Sequence, residues 1–145
     1  FDGDGVATAA KPIVEAGRLE TYLLSAYAAR KLGRTPTGNA GGVHNLVIQH
    51  GERGFDAMVA GLDRALIVTD LMGFGVNTVT GDYSRGASGF VVERGEIAQA
   101  VEEITIAGNL RDMLMGIVEI GSDIDLRGNI RSGSILIDHM AVAGS

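Results

Sequence analysis

The side chains that could bind a metal ion or carry out catalysis are few and scattered. The chain has no cysteine and three histidines, His44, His50 and His139. None has the H-E-x-x-H spacing that turns two imidazoles toward one metal ion. If His44 and His50 shared a strand face, they would be about 20 Å apart at ~3.3 Å per residue, too far for one ion. The sequence therefore predicts no metal ligand and, without a thiol, no cysteine nucleophile.

Two acidic pairs have the composition of an acid–base site, in which two carboxylates divide the work of proton transfer. Glu102 and Glu103 are adjacent, and adjacent residues of a strand point to opposite faces of a sheet. Asp123 and Asp125 precede Arg127, a pattern typical of a solvated turn whose charges balance. We therefore predict no catalytic residue at either pair.

Two glycine-containing segments are similar to parts of ligand-binding loops but lack the residues that would complete them. The opening, with Asp2 and Asp4, is half of a calcium loop without the later ligands and the closing Glu, so a turn is favoured. The glycines from Gly73 to Gly89 contain no G-x-x-x-x-G-K-[ST] motif, and we interpret them as a glycine-rich sheet segment. Judged on these residues, the chain is a binding or scaffold domain and not a self-sufficient enzyme.

Composition and charge exclude several classes of protein. The 145 residues are 46% hydrophobic and 21% charged, values ordinary for one globular domain, which we place at 1–145. No segment approaches the ~18 consecutive apolar residues of a membrane span. The formal net charge is −6, and the basic cluster Arg30, Lys31 and Arg34 is too small for a duplex-binding surface. We expect no direct nucleic-acid or membrane partner, and a cysteine-free chain is compatible with a cytoplasmic location.

Repeated glycine turns and apolar periodicity indicate an α+β fold that is β-rich, with a mostly antiparallel sheet, hairpins and about three short helices. The pattern V-E-x-G-x-[LI] occurs within 13–19 and at 92–97. Each copy predicts a hairpin with Gly17 or Gly95 in the left-handed position of its turn.

The same periodicity places the helices and strands. Apolar steps of three and four residues predict helices over 22–32, from Phe55 to Leu62, and after Asn109 as N-cap to a stop at Gly121. The last of these should bury a stripe of side chains from Leu110 to Val118. The predicted strands are 44–49, 66–69, 76–80, 90–92, 97–106 and 134–138.

Longer motifs are specific enough to indicate a family. Residues 75–86 match G-V-N-x-V-T-G-D-[YF]-S-x-G, residues 92–97 match V-E-x-G-E-I, and residues 101–110 match V-E-E-I-T-I-A-G-N-L. On these motifs the chain strongly resembles the TldD/PmbA family, and within it the PmbA (TldE) branch. The resemblance covers nearly the whole chain and only the family's C-terminal domain. We therefore expect the N-terminal portion of a longer subunit to be missing here.

The resemblance implies a role in proteolysis. The family is known as metallopeptidases that cleave unstructured peptides, and it is also labelled modulator of DNA gyrase. Its zinc-bearing subunit, TldD, carries an H-E-x-x-x-H helix and a cysteine ligand, and this chain has neither. The resemblance therefore implies a non-metal subunit of a heterodimer, with zinc in a TldD-like partner and no cofactor in this chain. Whether this chain is itself an enzyme stays open.

The glycine-rich segment also contains the candidate contacts to a peptide. Asn77, Thr80, Asp82 and Ser84 lie within the most specific family motif, and an extended peptide can add to a sheet as a strand. The alternative is that these four residues form an internal corner of the sheet. No residue is assigned to catalysis or to metal binding.

Two other functions remain open on the sequence. One is a non-catalytic protein–protein interaction module, including regulation of gyrase-related toxins or antitoxins. The other, an enzyme in its own right, would need ligands that the sequence does not contain. We expect the isolated chain to self-associate, because part of its apolar surface should belong against a missing domain or a partner.

Overall fold

Two units make up the part of the chain that the computed structural model describes, residues 1–144. The first is Phe1–Leu46 and the second runs from Val47 onward. In chain order the elements are β1 (Val14–Glu15), β2 (Arg18–Leu19), α1 (Ala26–Lys31), β3 (Leu46–Val47), α2 (Phe55–Ala60), β4 (Arg64–Met72), β5 (Asp82–Glu93), β6 (Glu96–Asn109), α3 (Leu110–Met115), β7 (Ile117–Ile120), β8 (Ile130–Arg131), β9 (Ile135–Ile137) and β10 (Ala141–Ala143). Strand residues exceed helical ones, and the main pairings are antiparallel. The predicted β-rich α+β class with three short helices is confirmed. No helix within residues 1–144 has the length and apolar character needed to cross a membrane.

In the first unit, the carboxylate of Asp2 organises the opening segment. Its Oδ1 accepts the N–H groups of Asp4 and Val6, both at 2.9 Å, and its Oδ2 accepts the N–H of Ala40 at 2.9 Å. The bond from Ala40, followed by those from Val6 and Asp4, holds the pKa of the Asp2 carboxyl below its usual range. Asp4 Oδ2 in turn accepts the N–H of Ala26, the first residue of α1, at 2.7 Å. The opening is therefore a turn, as predicted.

Helix α1 is shorter than the helix predicted over 22–32, and that prediction is wrong for its first four residues. Ser25 is the N-cap, and its Oγ accepts the N–H of Ala28 at 3.2 Å. Before it, the N–H of Leu24 donates to Thr37 Oγ1 at 2.8 Å, and the N–H of Thr37 donates to the Leu24 carbonyl at 3.2 Å. These bonds hold the preceding segment against a distant loop, and a local propensity for helix cannot compete with them.

Two tight hairpins have the same turn. Ala16 and Gly17 connect β1 to β2 with φ of 48° and 77°, and Arg94 and Gly95 connect β5 to β6 with φ of 53° and 80°. Positive φ at both central residues is the type I′ turn, whose twist matches that of the strands it joins. The repeated V-E-x-G pattern therefore marks two real hairpins, and each glycine has the left-handed φ that the turn requires.

In the second unit, one four-stranded sheet holds the core. Its order is β10-β6-β5-β4, and the consecutive strands β4, β5 and β6 form an antiparallel meander. Gly89 allows β4 to approach closely, because a Cβ there would lie 1.8 Å from the Ile67 carbonyl oxygen. The core cluster on this sheet consists of Ala87, Ile104 and Ile106, with Leu66, Tyr83, Val101 and Met140 packed against it.

Helix α3 begins where predicted and ends five residues early. Asn109 is its N-cap, and Asn109 Oδ1 accepts the N–H of Arg111 at 3.0 Å. The predicted stop at Gly121 is wrong, because the helix ends at Gly116. The β-branched residues that follow form β7, which pairs with β9. The predicted buried stripe is also wrong, since Leu114 is 69% exposed and no residue of α3 is buried.

Two strand predictions need correction. The strand predicted at 76–80 is wrong, because residues 73–81 form a loop whose one bridge joins Val76 to Tyr83. The buried strand predicted at 44–49 is reduced to the two residues of β3, and Val47 is 61% exposed. Strand β10 was not predicted from the sequence, since three small or apolar residues near the end of the chain give no periodic signal.

Replacing Gly95 by alanine should destabilise its unit more than replacing Gly17 destabilises its own. Positive φ costs an L-residue roughly 1–2 kcal/mol at either position. A Cβ on Gly95 would also lie 2.7 Å from the Ala60 carbonyl oxygen, whereas one on Gly17 would meet no atom within 4 Å. Denaturant titration followed by hydrogen exchange measures the free energy of unfolding of each unit. Equal losses for Gly17→Ala and Gly95→Ala would contradict the close packing at Gly95.

The Asp2 network should make the first unit sensitive to acid. The folded-state pKa of Asp2 lies below its unfolded value of about 3.9. Its contribution is therefore fully present above that value and is lost as pH falls through the folded pKa. Asp2→Asn removes the negative charge. It also replaces one of the two accepting oxygens by an amide nitrogen, which cannot accept a backbone N–H. The Tm difference between the parent and Asp2→Asn should be largest above about pH 4 and shrink toward pH 2. Parallel Tm curves would contradict this assignment.

Candidate functional site

The β4–β5 loop, residues 73–81, carries two of the four candidate peptide contacts, Asn77 and Thr80, and the start of β5 carries the other two, Asp82 and Ser84. The loop leaves the sheet after β4 and returns at the start of β5. Phe74 is fully exposed, and Val79 is 92% exposed. Exposure of large apolar side chains to water is unfavourable. The loop therefore has the character of a contact surface.

Hydrogen bonds within the loop bring three of the four candidates together. Asn77 Oδ1 accepts the N–H groups of Val79 at 2.9 Å and Thr80 at 3.2 Å, and the Asn77 carbonyl accepts the N–H of Gly81 at 2.8 Å. Thr80 Oγ1 donates to Asp82 Oδ2 at 2.6 Å. The polar groups of Asn77, Thr80 and Asp82 are therefore used to shape the turn itself.

Further bonds attach the loop to the sheet and to the start of α3. Ser84, the fourth candidate, lies exposed on β5, and its N–H donates to the Gly75 carbonyl at 2.7 Å. Asn109 Nδ2 donates to the Thr80 carbonyl at 3.1 Å, so the side chain that caps α3 also holds the loop. The loop presents a fixed shape and apolar side chains, and its chemistry suits binding rather than bond cleavage.

No histidine of the described residues lies in a group of three or more possible metal ligands. All three are exposed. His50 Nδ1 lies 2.6 Å from the Gly51 carbonyl oxygen, and His139 Nδ1 lies 2.9 Å from Asp138 Oδ1. Within residues 1–144, no group of three or more His, Cys, Asp or Glu side chains is placed to hold a metal ion. The residues of this chain therefore do not fit a zinc site, which needs three or four such ligands at about 2 Å.

The two acidic residues Asp123 and Asp125 form hydrogen bonds with different side chains. Asp123 Oδ2 accepts the hydroxyl of Ser134 at 2.6 Å, and this bond is the main cause of its lowered pKa. Arg127 donates two side-chain bonds to Asp125, at 2.9 and 2.8 Å, which lower the pKa of Asp125 to about 2. A general acid at neutral pH needs a raised pKa. Neither carboxylate therefore has the raised pKa of a general acid, and the bonds of both hold local structure.

An ion pair that the sequence did not indicate joins distant parts of the second unit. Arg53 Nε donates to Glu119 Oε1 at 3.1 Å, and its second nitrogen contacts Oε2. The hydrogen bond from Arg53 is the main reason that the pKa of Glu119 lies below its usual range. The two residues are 66 positions apart in the chain, so no local spacing could have revealed the pair.

A groove of about 880 Å³ lies in the second unit. It lies between the four-stranded sheet, α2 and the segment around β9. Most of its lining side chains are aliphatic or aromatic, and Arg85 on β5 contributes a guanidinium group. Sequence reasoning missed this groove, because it is formed by segments that lie far apart in the chain.

Comparison with protein families gives one match that covers residues 1–144: the PmbA/TldA metallopeptidase C-terminal domain. Among curated proteins, the chain is 51% identical to a Metalloprotease PmbA homolog of Haemophilus influenzae, over 100% of this chain and 32% of the relative. It is also 51% identical to Metalloprotease PmbA of Escherichia coli O157:H7, over 99% of this chain and 32% of the relative. The chain therefore spans about a third of the length of these relatives.

Two crystal structures have the same fold. A protein of Bacteroides thetaiotaomicron superposes with a TM-score of 0.92 at 34% identity, over 100% of this chain and 33% of the other. A protein of Thermotoga maritima superposes with a TM-score of 0.89 at 40% identity, over 99% and 35%. Both are named as candidate modulators of DNA gyrase.

Proposed function

This chain belongs to the PmbA/TldA metallopeptidase family as its C-terminal domain, and we propose that it serves a heterodimeric zinc peptidase acting on unstructured peptides. In this proposal the metal and the catalytic residues lie in a TldD-like partner subunit. This chain supplies part of the wall of the peptide cleft and part of the contact between subunits.

The metal-ligating side chains of this chain support the placement of the metal in the partner subunit. Relatives of the chain are named metalloproteases, which implies that the family uses a metal. The part of this chain that the structure describes brings no three metal-ligating side chains together, and the whole sequence has no cysteine. In this proposal, a metal-dependent reaction therefore takes its ligands from the TldD-like partner subunit.

The exposed β4–β5 loop carries the proposal for the cleft wall. Its internal hydrogen bonds fix the turn, while Phe74 and Val79 project into solvent. A fixed loop with projecting apolar side chains binds with little loss of conformational entropy. We assign Asn77, Thr80, Asp82 and Ser84 to the support of this contact surface.

A second candidate function is an interaction module with no part in peptide cleavage, including regulation of gyrase-related toxins or antitoxins. The exposed apolar loop favours it equally, and the two solved relatives are named as candidate modulators of DNA gyrase. The two functions differ in one measurable respect, which is whether peptide hydrolysis depends on this chain. A cytoplasmic location suits both, since it agrees with the absence of cysteine.

Hydrolysis should require both subunits. A subunit of the relatives' length that contains this chain is mixed with a TldD-like subunit, and cleavage of an unfolded fluorogenic peptide is followed. We expect no hydrolysis from this chain alone, with or without added zinc, and hydrolysis from the mixture. Elemental analysis should find zinc with the partner and none with this chain after dialysis.

A double variant of the loop, Phe74→Ser with Val79→Ser, tests the contribution of the loop in this assay. The control is His44→Ala on the first unit. The loop variant should lower the activity of the mixture, and the His44 variant should leave it unchanged. Activity in the rigorously purified chain would contradict the division of labour. Co-purification without any gain in hydrolysis would favour the interaction module.

The isolated chain should also self-associate. Several large apolar side chains of the second unit are more than half exposed, among them Phe74, Val79 and Met115. Apolar patches of several hundred Å² on a monomer mark interfaces, and a symmetric dimer is the simplest way to cover them. Light scattering across a wide concentration range measures the mass, and a stable monomer throughout would contradict the expectation.

A further inference from the structure

A pocket of about 270 Å³ lies within the first unit. It is lined by side chains from residues 20–24, which precede α1, and from residues 34–37, which follow it. The two segments are bonded to each other, since the N–H of Leu24 donates to Thr37 Oγ1 at 2.8 Å and the N–H of Thr37 donates to the Leu24 carbonyl at 3.2 Å. These bonds fix the distance between the two walls of the pocket.

Arg34 is the basic residue of the pocket lining, and an aromatic ring holds its side chain. The guanidinium carbon lies 4.7 Å from the centre of the Tyr22 ring, within the range of a cation–π interaction. Such a contact uses the face of a guanidinium and leaves the N–H groups at its edge free to donate. Arg34 is exposed, and none of the salt bridges formed within residues 1–144 includes it. Its charge is therefore positioned, accessible and not neutralised.

Threonine hydroxyls provide further donors around the pocket. Thr37 Oγ1 is already bonded to the backbone of the facing segment. Thr21 and Thr35 also line the pocket, and each has a hydroxyl that can donate to an anionic oxygen. The acidic side chain of the lining, Glu20, forms an ion pair with Arg18 at 3.6 Å, which offsets its charge. A guanidinium and two hydroxyls are donors that suit the two oxygens of a carboxylate.

Two further basic residues lie beside Arg34. Arg30 and Lys31 form the last turn of α1, and the N–H of Arg34 donates to the Ala29 carbonyl at 2.8 Å, which places Arg34 next to the end of this helix. Lys31 Nζ lies 5.8 Å from the centre of the Tyr27 ring. Neither Arg30 nor Lys31 takes part in a salt bridge within residues 1–144. The pocket therefore lies at a basic surface.

The charge of the rest of the chain makes this basic surface distinctive. Residues 1–46 carry five Lys or Arg and four Asp or Glu, whereas residues 47–145 carry seven and fourteen. Of the acidic groups in the first unit, Asp2 and Asp4 accept backbone N–H bonds. Complementary charge favours encounter with an acidic partner, and like charge opposes it. An acidic segment is therefore favoured at the first unit and disfavoured at the second.

We propose that the pocket of the first unit binds a carboxylate of the unstructured peptide through Arg34 and the hydroxyls of Thr21 and Thr35, while Arg30 and Lys31 attract acidic residues beside it. The inference rests on the proposed function, since the occupant is the peptide of that function. It adds a place of binding and a preference for acidic peptides. An Asp or Glu side chain and the C-terminal carboxylate of a peptide offer the same chemistry, and the choice of peptides separates them.

Three synthetic peptides test this proposal on the chain as it stands. The first is Gly-Ser-Asp-Glu-Asp-Ser-Gly, acetylated and amidated at its ends. The second, with the same capped ends, has Asn-Gln-Asn at its centre, and the third is this neutral peptide with a free C-terminal carboxylate. Nuclear magnetic resonance of the isotopically labelled chain, at low ionic strength to limit screening, measures the affinity and identifies the residues contacted.

We expect the acidic peptide to bind at one per chain and to shift the amide signals of residues 20–24 and 34–37. The capped neutral peptide should bind roughly tenfold more weakly or worse, because it cannot form charge-assisted hydrogen bonds. Binding of the third peptide at the same residues would show that a terminal carboxylate also enters the pocket. Its failure to bind would assign the carboxylate to an acidic side chain.

Protein variants then assign the preference to Arg34. Arg34→Gln should bring the affinity for the acidic peptide close to that for the neutral one. Arg34→Lys keeps the charge but lacks the planar fork of donors, so it should bind the acidic peptide more weakly than the parent. The control Arg111→Gln, which removes one exposed charge from the second unit, should preserve the preference. Circular dichroism confirms folding, and the peptide comparison on the unmodified chain needs no variant.

Four results would overturn the proposal: no binding, equal affinity for the acidic and the capped neutral peptide, signal shifts confined to residues outside 20–37, and full affinity in Arg34→Gln. A single-stranded oligothymidylate is the competing probe, because exposed tyrosines and cations also suit stacked bases and phosphates. Tighter binding of the oligonucleotide than of the acidic peptide at these residues would also overturn it. None of these measurements involves the partner subunit or hydrolysis. Failure here is therefore distinct from failure of the proposed function, which the mixing assay tests.

Discussion

The long antiparallel pairing of β5 with β6 is the interaction on which the second unit depends. It joins Asp82–Glu93 to Glu96–Asn109 through a two-residue turn at Arg94 and Gly95. Because both central residues have positive φ, the turn has the twist of the strands and sets their register. Every other part of the sheet is placed by this hairpin. Strand β4 adds to one side, β10 adds to the other, and the core cluster lies on its face.

The two ends of the hairpin have different consequences for binding. At one end the chain turns tightly. At the other end β6 leads into α3 through Asn109, whose side chain both caps the helix and donates to the Thr80 carbonyl of the β4–β5 loop. One residue thus couples the helix start to the exposed loop. The loop is held in a fixed shape by the same sheet that gives the groove one of its walls.

Several charged groups of the described residues hold the fold together. Three of their acidic groups, Asp125, Asp123 and Glu119, are bonded to Arg127, Ser134 and Arg53 and have lowered pKa values, and their histidines are exposed. Such groups stabilise turns and connect segments, but they do not supply a raised pKa or a ligand set for catalysis.

The sequence by itself determined the local structure that short-range chemistry controls. The V-E-x-G pattern located both hairpins, because a type I′ turn requires residues that tolerate positive φ. Asn109 located the start of α3, because an N-cap needs a side-chain acceptor. The motifs in residues 75–110 indicated the family. The absence of cysteine and the spacing of the histidines argued against a metal site.

Only the tertiary structure decided features that depend on distant segments. Helix α1 lost its first turn to bonds between Leu24 and Thr37, and α3 gave way to β7 because β9 was available to pair with it. The Arg53–Glu119 pair and the groove follow from the same cause. A periodic pattern reports which face of an element is apolar, but it does not report which remote strand or side chain will meet that face. That choice is made by packing, when the whole sheet forms.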